Sequence, residues 1–396
     1  MKVLYVNHTS CVGGGERSLL ELIGGLPAEV EPIAACPEGP LADRFRALGL
    51  DVHPIPELDG SLKLHPAYTP LTMARLVRAV RDVARIARAT RADLIHGNSI
   101  RAAIVAGMGA GRCGIPAVGH IRDCLPPGRL SRTALGAVRR HCDAVVANSG
   151  YTADRLPPGT GAQVVHNPID LGRFDPATVS RSEARGQLGA RDGELLLGVV
   201  AQITPWKAQD DAIRVLHGLA ARGCDARLLL VGAPKFVSKA TRFDNVEFVE
   251  GLHRLVAELE LETRVDFLGE REDVPRVLRA LDLLLVPSWE EPFGRAVTEA
   301  MAMGTPVAAT SVGGPSEILR DGRDGLLLSP RRPDVWVDAL APLLADAPRR
   351  SRMGASGRER AVDTFGVPAH VARMIEVYEQ VCGTSAVPAT AAAVAA

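Results

Sequence analysis

Short apolar runs alternate with helix-length amphipathic stretches along almost the whole chain, and this alternation limits the possible folds more than any other feature. Val3–Val6, Pro32–Ala35, Leu94–His96, Ala117–Ile121, Ala144–Ala147 and Val164–His166 make one series. Leu195–Ile203, Arg227–Val231, Val265–Leu268, Leu283–Val286, Val307–Thr310 and Leu326–Leu328 make a second. Unbroken apolar runs of this kind read as parallel strands covered by helices on both faces. Two series in succession predict an α/β protein with two doubly wound, Rossmann-like sheets facing a central cleft. A length of 396 residues exceeds what one core usually serves, in agreement with two domains.

The polar break that opens with Leu171-Gly172-Arg173-Phe174-Asp175-Pro176 separates the two series. The expected organisation is an N-terminal domain over 1–170, a linker over 171–193, a second domain over 194–366 and a helix over 367–382. The tail 383–396 lacks core-forming residues and is expected to be disordered.

Lys plus Arg equals Asp plus Glu, so the overall charge gives no sign of a nucleic-acid partner. The seven cysteines are scattered with no Cys-x-x-Cys, which suits neither a zinc site nor a disulfide framework and fits a reduced cytoplasm. The chain opens directly on a strand, Lys2-Val3-Leu4-Tyr5-Val6, so no secretion signal is expected. No apolar run approaches membrane-spanning length. The abundance of Ala, Gly, Arg and Leu suits a GC-rich bacterial genome.

The densest chemistry follows the strand near Leu283. There the run Ser288-Trp289-Glu290-Glu291-Pro292-Phe293-Gly294-Arg295-Ala296-Val297-Thr298-Glu299 passes from a strand end through a proline–glycine turn into a helix. Glu291 falls in the turn and Glu299 inside the first turns of the helix. In open α/β sheets that edge binds ligands, and a helix N-terminus there offers free N–H groups. Two acceptors so spaced can hold two sets of vicinal hydroxyls on one ligand. Acidic residues also suit a helix start for dipole reasons alone, so a lone Glu would carry little weight.

The context resembles the retaining glycosyltransferases of family 4, which have the GT-B fold. Their hallmark of Glu, seven residues, Glu matches Glu291-Pro292-Phe293-Gly294 followed by Glu299-Ala300-Met301-Ala302-Met303-Gly304-Thr305-Pro306-Val307, and the likeness continues through Gly313-Gly314-Pro315-Ser316-Glu317-Ile318. The resemblance implies that Glu299 accepts from the donor ribose, and that Glu291, with backbone around Phe293, Gly294 and Arg295, holds the sugar. Gly13-Gly14-Gly15-Glu16 resembles the glycine loop over the donor diphosphate, so Gly14 and Gly15 are candidates there. Lys207 matches one of two basic residues on the diphosphate; Gln202 stands where many relatives have Arg, a departure that leaves more of the charge to Lys207. The segment ending Leu268-Gly269-Glu270 resembles the part whose backbone reads the nucleobase. His120, at the end of an apolar strand, takes the place of a histidine set against the sugar, whereas His96 is read as structural. The resemblance also implies that the last helix crosses back to the first domain.

No Asp-x-Asp occurs, so no metal site is expected and no cofactor is called for; the nucleotide sugar is a substrate. Arg75, Arg78, Arg81, Arg85, Arg88 and Arg91 recur at helical spacing, a stripe that suits a solvated face or an anionic membrane. The expected activity is metal-independent, retaining transfer of a sugar from a nucleoside diphosphate, UDP in the first instance, to a hydroxyl acceptor, in the cytoplasm or at the inner face of its membrane. A sugar-nucleotide epimerase, a phosphorylase and a non-catalytic sugar-nucleotide binder are the competing readings. Acceptor, sugar and oligomeric state leave no trace in the sequence.

Overall fold

The structure, a computed structural model, describes residues 1–58, 69–235 and 243–383. The first sheet is built from β1 (Lys2–Val6), β2 (Glu31–Cys36), β3 (Asp51–Pro54), β4 (Leu94–Gly97), β5 (Ala117–Ile121), β6 (Ala144–Ala147) and β7 (Gln163–Val164). Its order is β3-β2-β1-β4-β5-β6-β7, with parallel pairing throughout. The second comprises β8 (Leu195–Val200), β9 (Ala226–Val231), β10 (Val265–Gly269), β11 (Leu283–Val286), β12 (Val307–Thr310) and β13 (Leu326–Leu328). Its order is β10-β9-β8-β11-β12-β13, again parallel. Two such sheets facing a cleft form the GT-B fold.

The strands are apolar without alternation because each feeds two cores. Along β1, Val3 and Tyr5 enter one cluster and Leu4 and Val6 the other. Along β8, Leu197 and Val199 face one side and Leu196 the opposite one. Each such side chain contributes roughly 1.5–3 kcal/mol by leaving water.

Both strand orders reverse beside the first strand, between β1 and β4 and between β8 and β11. Helices leave these neighbours on opposite sides, which opens a crevice at the carboxyl ends. The glycine loop follows β1, the Gln202–Lys207 turn follows β8, and Glu291 follows β11. The topology alone therefore brings these three segments to the cleft.

Two features depart from the sequence expectation. β3 was not anticipated: Asp51-Val52-His53-Pro54 is an edge strand, partly exposed and ending in proline, so it has no apolar run to show. The stretch 171–193, expected as a linker, is folded onto the second domain. It holds a turn at Pro176–Thr178 and a helix at Arg181–Gln187, and Phe174 and Ala184 are buried with Val277, Leu278 and Met301. Arg181 and Arg185 both reach Asp282, each at 2.8 Å.

The helix Val367–Cys382 lies on the first domain, where Val371, Met374, Val377 and Tyr378 pack with Val3, Tyr5 and Leu19. The expectation for the tail beyond Gly383 falls outside the described residues. All seven cysteines are free, and no helix among the described residues is long and apolar enough to cross a membrane.

Candidate active site

The two domains enclose a cavity of about 500 Å³. Its second-domain wall begins with the turn after β11. Glu291 N donates to Val312 O at 3.1 Å, and Gly314 N donates to Glu291 O at 2.8 Å. The backbones are so close that a Cβ on Gly313, whose φ is +109°, would lie 2.0 Å from Glu291 O. Only glycine fits there, and this tight clasp fixes the Glu291 carboxylate. Gly294, at φ +104°, then turns the chain into the helix Arg295–Ala302, whose N-terminus opens on the cleft.

Lys207 arrives from the other side of the same switch point. It ends the short helical turn Pro205–Lys207, and the next residue, Ala208, is buried in a left-handed conformation, at φ +55°, before the helix Gln209–Ala221. A left-handed alanine costs roughly 1–2 kcal/mol, a strain often found beside functional groups. Lys207 Nζ donates to Glu291 Oε2 at 2.5 Å, and Ser288 Oγ donates to the same oxygen at 3.1 Å. The ammonium also sits 4.1 Å from the centre of the Trp206 ring. Gln202 lines the cavity, its carbonyl held by Gln209 Nε2 at 2.9 Å.

Glu299 lines the cavity from the helix Arg295–Ala302. Its neighbour Arg295 behaves unlike a free donor ligand. Its Nη1 and Nη2 donate to both oxygens of Glu21 in the first domain, at 2.8 and 2.7 Å; Nη1 also donates to Ser18 Oγ and Pro168 O, and Nη2 to Glu299 Oε1 at 3.1 Å. Burial works against this guanidinium's charge, but Glu21 and Glu299 outweigh it and hold it firmly protonated. Phe293 turns its ring inward against Phe365 and His166, leaving its backbone to the cleft.

The first-domain wall carries Gly13, Gly14 and Gly15 at the start of the helix Gly14–Gly24. Glu16 Oε2 accepts from Gly13 N at 3.0 Å, closing the first turn. A Cβ on Gly15 would meet Arg122 Cδ at 3.0 Å, so the bare backbone lets the loop lie against that side chain.

His120 is not on the cavity wall. It is buried, its ring between those of His96 at 5.4 Å and His370 at 6.3 Å, and burial holds it neutral. The cause is register: β5 ends at Ile121, so residues inside the strand stay in the sheet and those just beyond it reach the crevice. Arg122 and Asp123 are those residues, and both line the cavity. Arg122 is held by Asn98 Oδ1 at 2.7 Å and by Asn167 Oδ1, and burial lowers its pKa to about 10. Sequence reasoning passed over both, although the polar pair directly after an apolar strand was the available signal.

Towards the β10 end, Glu270 lines the cavity while Gly269 stops short of it. Glu270 pairs with Lys235 at 2.9 Å, and Lys235 Nζ also reaches Val12 O beside the glycine loop at 3.4 Å. Lys235, like Arg122, is a cation of the site that the sequence did not single out.

Two family models match the chain, Glycosyltransferase Family 4 over residues 12–173 and Glycosyl transferases group 1 over residues 180–360. A D-inositol 3-phosphate glycosyltransferase of Nocardia farcinica is 39% identical over 221 residues, which are 54% of this chain and 47% of that one. The protein of the same name from Salinispora arenicola is 31% identical over 314 residues, 72% of this chain and 68% of the relative. The match thus spans between about half and two thirds of these relatives' length. Among solved structures, Anabaena HepE in complex with UDP and glucose has a TM-score of 0.79 at 24% identity, over 96% of this chain and 99% of that one. Sucrose-phosphate synthase from Thermosynechococcus elongatus gives 0.78 at 22% identity, over 97% and 100%. Those two likenesses speak for the fold; the family models and the Salinispora relative go further, and the chain belongs to the group 1, family 4 glycosyltransferases.

Proposed function

We propose that the protein is a retaining, metal-independent glycosyltransferase that moves a sugar from UDP to a hydroxyl acceptor. The observation that carries this reading is the convergence of Lys207, Glu291 and Glu299 on one wall of the cleft, facing the glycine loop on the other. Lys207 supplies a point charge to the diphosphate, and the N–H groups at the start of the helix Gly14–Gly24 add to it. Glu291 takes the sugar hydroxyls and Glu299 the ribose. Arg122 and Lys235 offset the missing charge at Gln202. The leaving phosphate acts as the base on the sugar face from which it departs. Closure of the two domains excludes water, so that these charges act in a medium of low dielectric.

HepE has been crystallised with UDP and with UDP-glucose, which makes UDP the first donor to test. The test is a donor and acceptor screen read by mass spectrometry. Inositol 3-phosphate is one acceptor arm because relatives carry that name, and a lipid-linked glycan is another. A new glycoside with the donor's anomeric configuration supports the reading. An altered donor without acceptor identifies an epimerase, and tight UDP binding without turnover identifies a binding partner.

A further inference from the structure

Glu21 does not line the cavity, and nothing in the sequence marks it as part of the site. It lies in the helix Gly14–Gly24, 274 residues away from Arg295, yet it accepts two hydrogen bonds from that guanidinium in a fork. Arg295 and Glu299 lie one helical turn apart, and Arg295 Nη2 engages only one Glu299 oxygen, Oε1. All three side chains are nearly buried, at 14%, 10% and 9% exposure, so little water screens the contest between the two carboxylates for one guanidinium.

We propose that Glu21 is a positioning residue for nucleotide recognition in the opposite domain: by occupying the fork of Arg295, it keeps that fork from closing on Glu299 and leaves Glu299 able to accept from ribose hydroxyls. This rests on the ribose role given to Glu299 above. The physical argument is one of acceptor capacity. An ionised carboxylate has about four lone-pair sites, and a bidentate guanidinium takes one on each oxygen, which leaves fewer, and less favourably directed, sites for two ribose hydroxyls. With Glu21 neutral, Glu299 is the carboxylate that remains beside Arg295, and the fork turns to it. Because the Glu21–Arg295 contact joins the two domains beside the cleft, nucleotide affinity is tied to how the two domains sit against each other. The coupling is reciprocal, so bound nucleotide also favours that arrangement.

The experiment compares UDP with 2′,3′-dideoxy-UDP by calorimetry in wild type, Glu21→Gln, Glu21→Asp, Ser18→Ala and Glu299→Ala. The readout is the affinity ratio of the two nucleotides, which a general loss of structure does not change. Glu299→Ala should collapse the ratio. Glu21→Gln should lower it by about 5-fold or more, the lower range of ordinary coupling between sites. Glu21→Asp should restore part of it. Ser18→Ala, which removes one minor acceptor from the same guanidinium, should move it in the same direction by less, and it decides the matter together with Glu21→Asp if Glu21→Gln does not fold. A wild-type ratio in the Glu21 and Ser18 variants, or an equal loss for both nucleotides, overturns the coupling while leaving Glu299 in place. A wild-type ratio in Glu299→Ala removes the ribose role itself and the coupling with it.

Discussion

Lys207 Nζ and Glu291 Oε2 lie 2.5 Å apart across the mouth of the second-domain crevice. The lysine comes from the turn after β8 and the glutamate from the turn after β11, so the pair spans the topological switch point of that sheet. Without a donor, each neutralises the other. A donor that presents a diphosphate to the lysine and hydroxyls to the glutamate divides the pair between two parts of one ligand.

That division predicts separable effects. Lys207→Ala should weaken UDP and UDP-sugar alike and spare UMP if, as proposed, its charge serves the diphosphate. Glu291→Ala should weaken UDP-sugar and leave free UDP little changed, or slightly tightened, since Lys207 is then free to meet the phosphates. A charged hydrogen bond is worth about 1.5–3 kcal/mol. Calorimetry with the three ligands checks this, and a large loss of UMP affinity in either variant contradicts the assignment.

Glu299→Ala should lower affinity for every ribonucleotide by about 1.5–3 kcal/mol, whatever the base. UDP and GDP titrations measure it. Unchanged binding of both would take Glu299 out of the ribose role.

Except for the partly exposed edge strand β3, the strands of both sheets are legible, as is the Glu291–Glu299 run, because parallel strands buried on both faces must be apolar and because the turn chemistry is local. The linker reading failed for a different reason: the helix Arg181–Gln187 is polar, and its anchorage through Arg181 and Arg185 to Asp282 is a contact between distant segments. His120 illustrates the limit of strand-end reasoning: the strand Ala117–Ile121 has the expected bounds, but a residue still inside it stays in the sheet, and the two just beyond it, Arg122 and Asp123, reach the cleft. Glu21 had no signal at all, because its significance depends on a partner 274 residues away.

The histidines His96, His120 and His370 predict an acid-sensitive fold. Their Nε2 atoms are buried without a hydrogen-bond partner among the described residues. Burial holds His96 and His120 neutral and lowers His370 to about 3, and Arg122 adds to each shift. In the unfolded chain each group titrates near 6.5, so as pH falls below that value the unfolded state binds protons that the folded state refuses. Stability is therefore unaffected by these groups above pH 6.5 and declines below it, by up to about 1.4 kcal/mol per pH unit for each histidine. Urea unfolding of wild type and His120→Leu between pH 8 and 5 measures the difference in slope. Parallel profiles would mean that His120 takes up a proton within the fold.

The arginine stripe gives the prediction with the widest consequence. Arg75, Arg78, Arg81, Arg85 and Arg88 are exposed along the helix Thr69–Thr90, with Arg91 just beyond its end. Leu71, Met73 and Val77, exposed at 52%, 52% and 42%, lie at its N-terminal part. Exposed apolar side chains beside arginines suit an anionic lipid surface, where each arginine contributes roughly 1 kcal/mol. Vesicle binding should rise with anionic lipid content and fall with salt, since exposed charges are screened over about 8 Å at physiological ionic strength. Replacing Arg78, Arg81, Arg85 and Arg88 with Gln should abolish it and leave UDP affinity unchanged, because none of these residues lines the cavity. Asp82, 3.7 Å from both Arg78 and Arg85, already offsets part of the charge, and exposed pairs of this kind are worth little on their own. A wild-type protein that ignores anionic vesicles at low salt would make the stripe a solvated face, and the search for the acceptor would then turn to soluble small molecules.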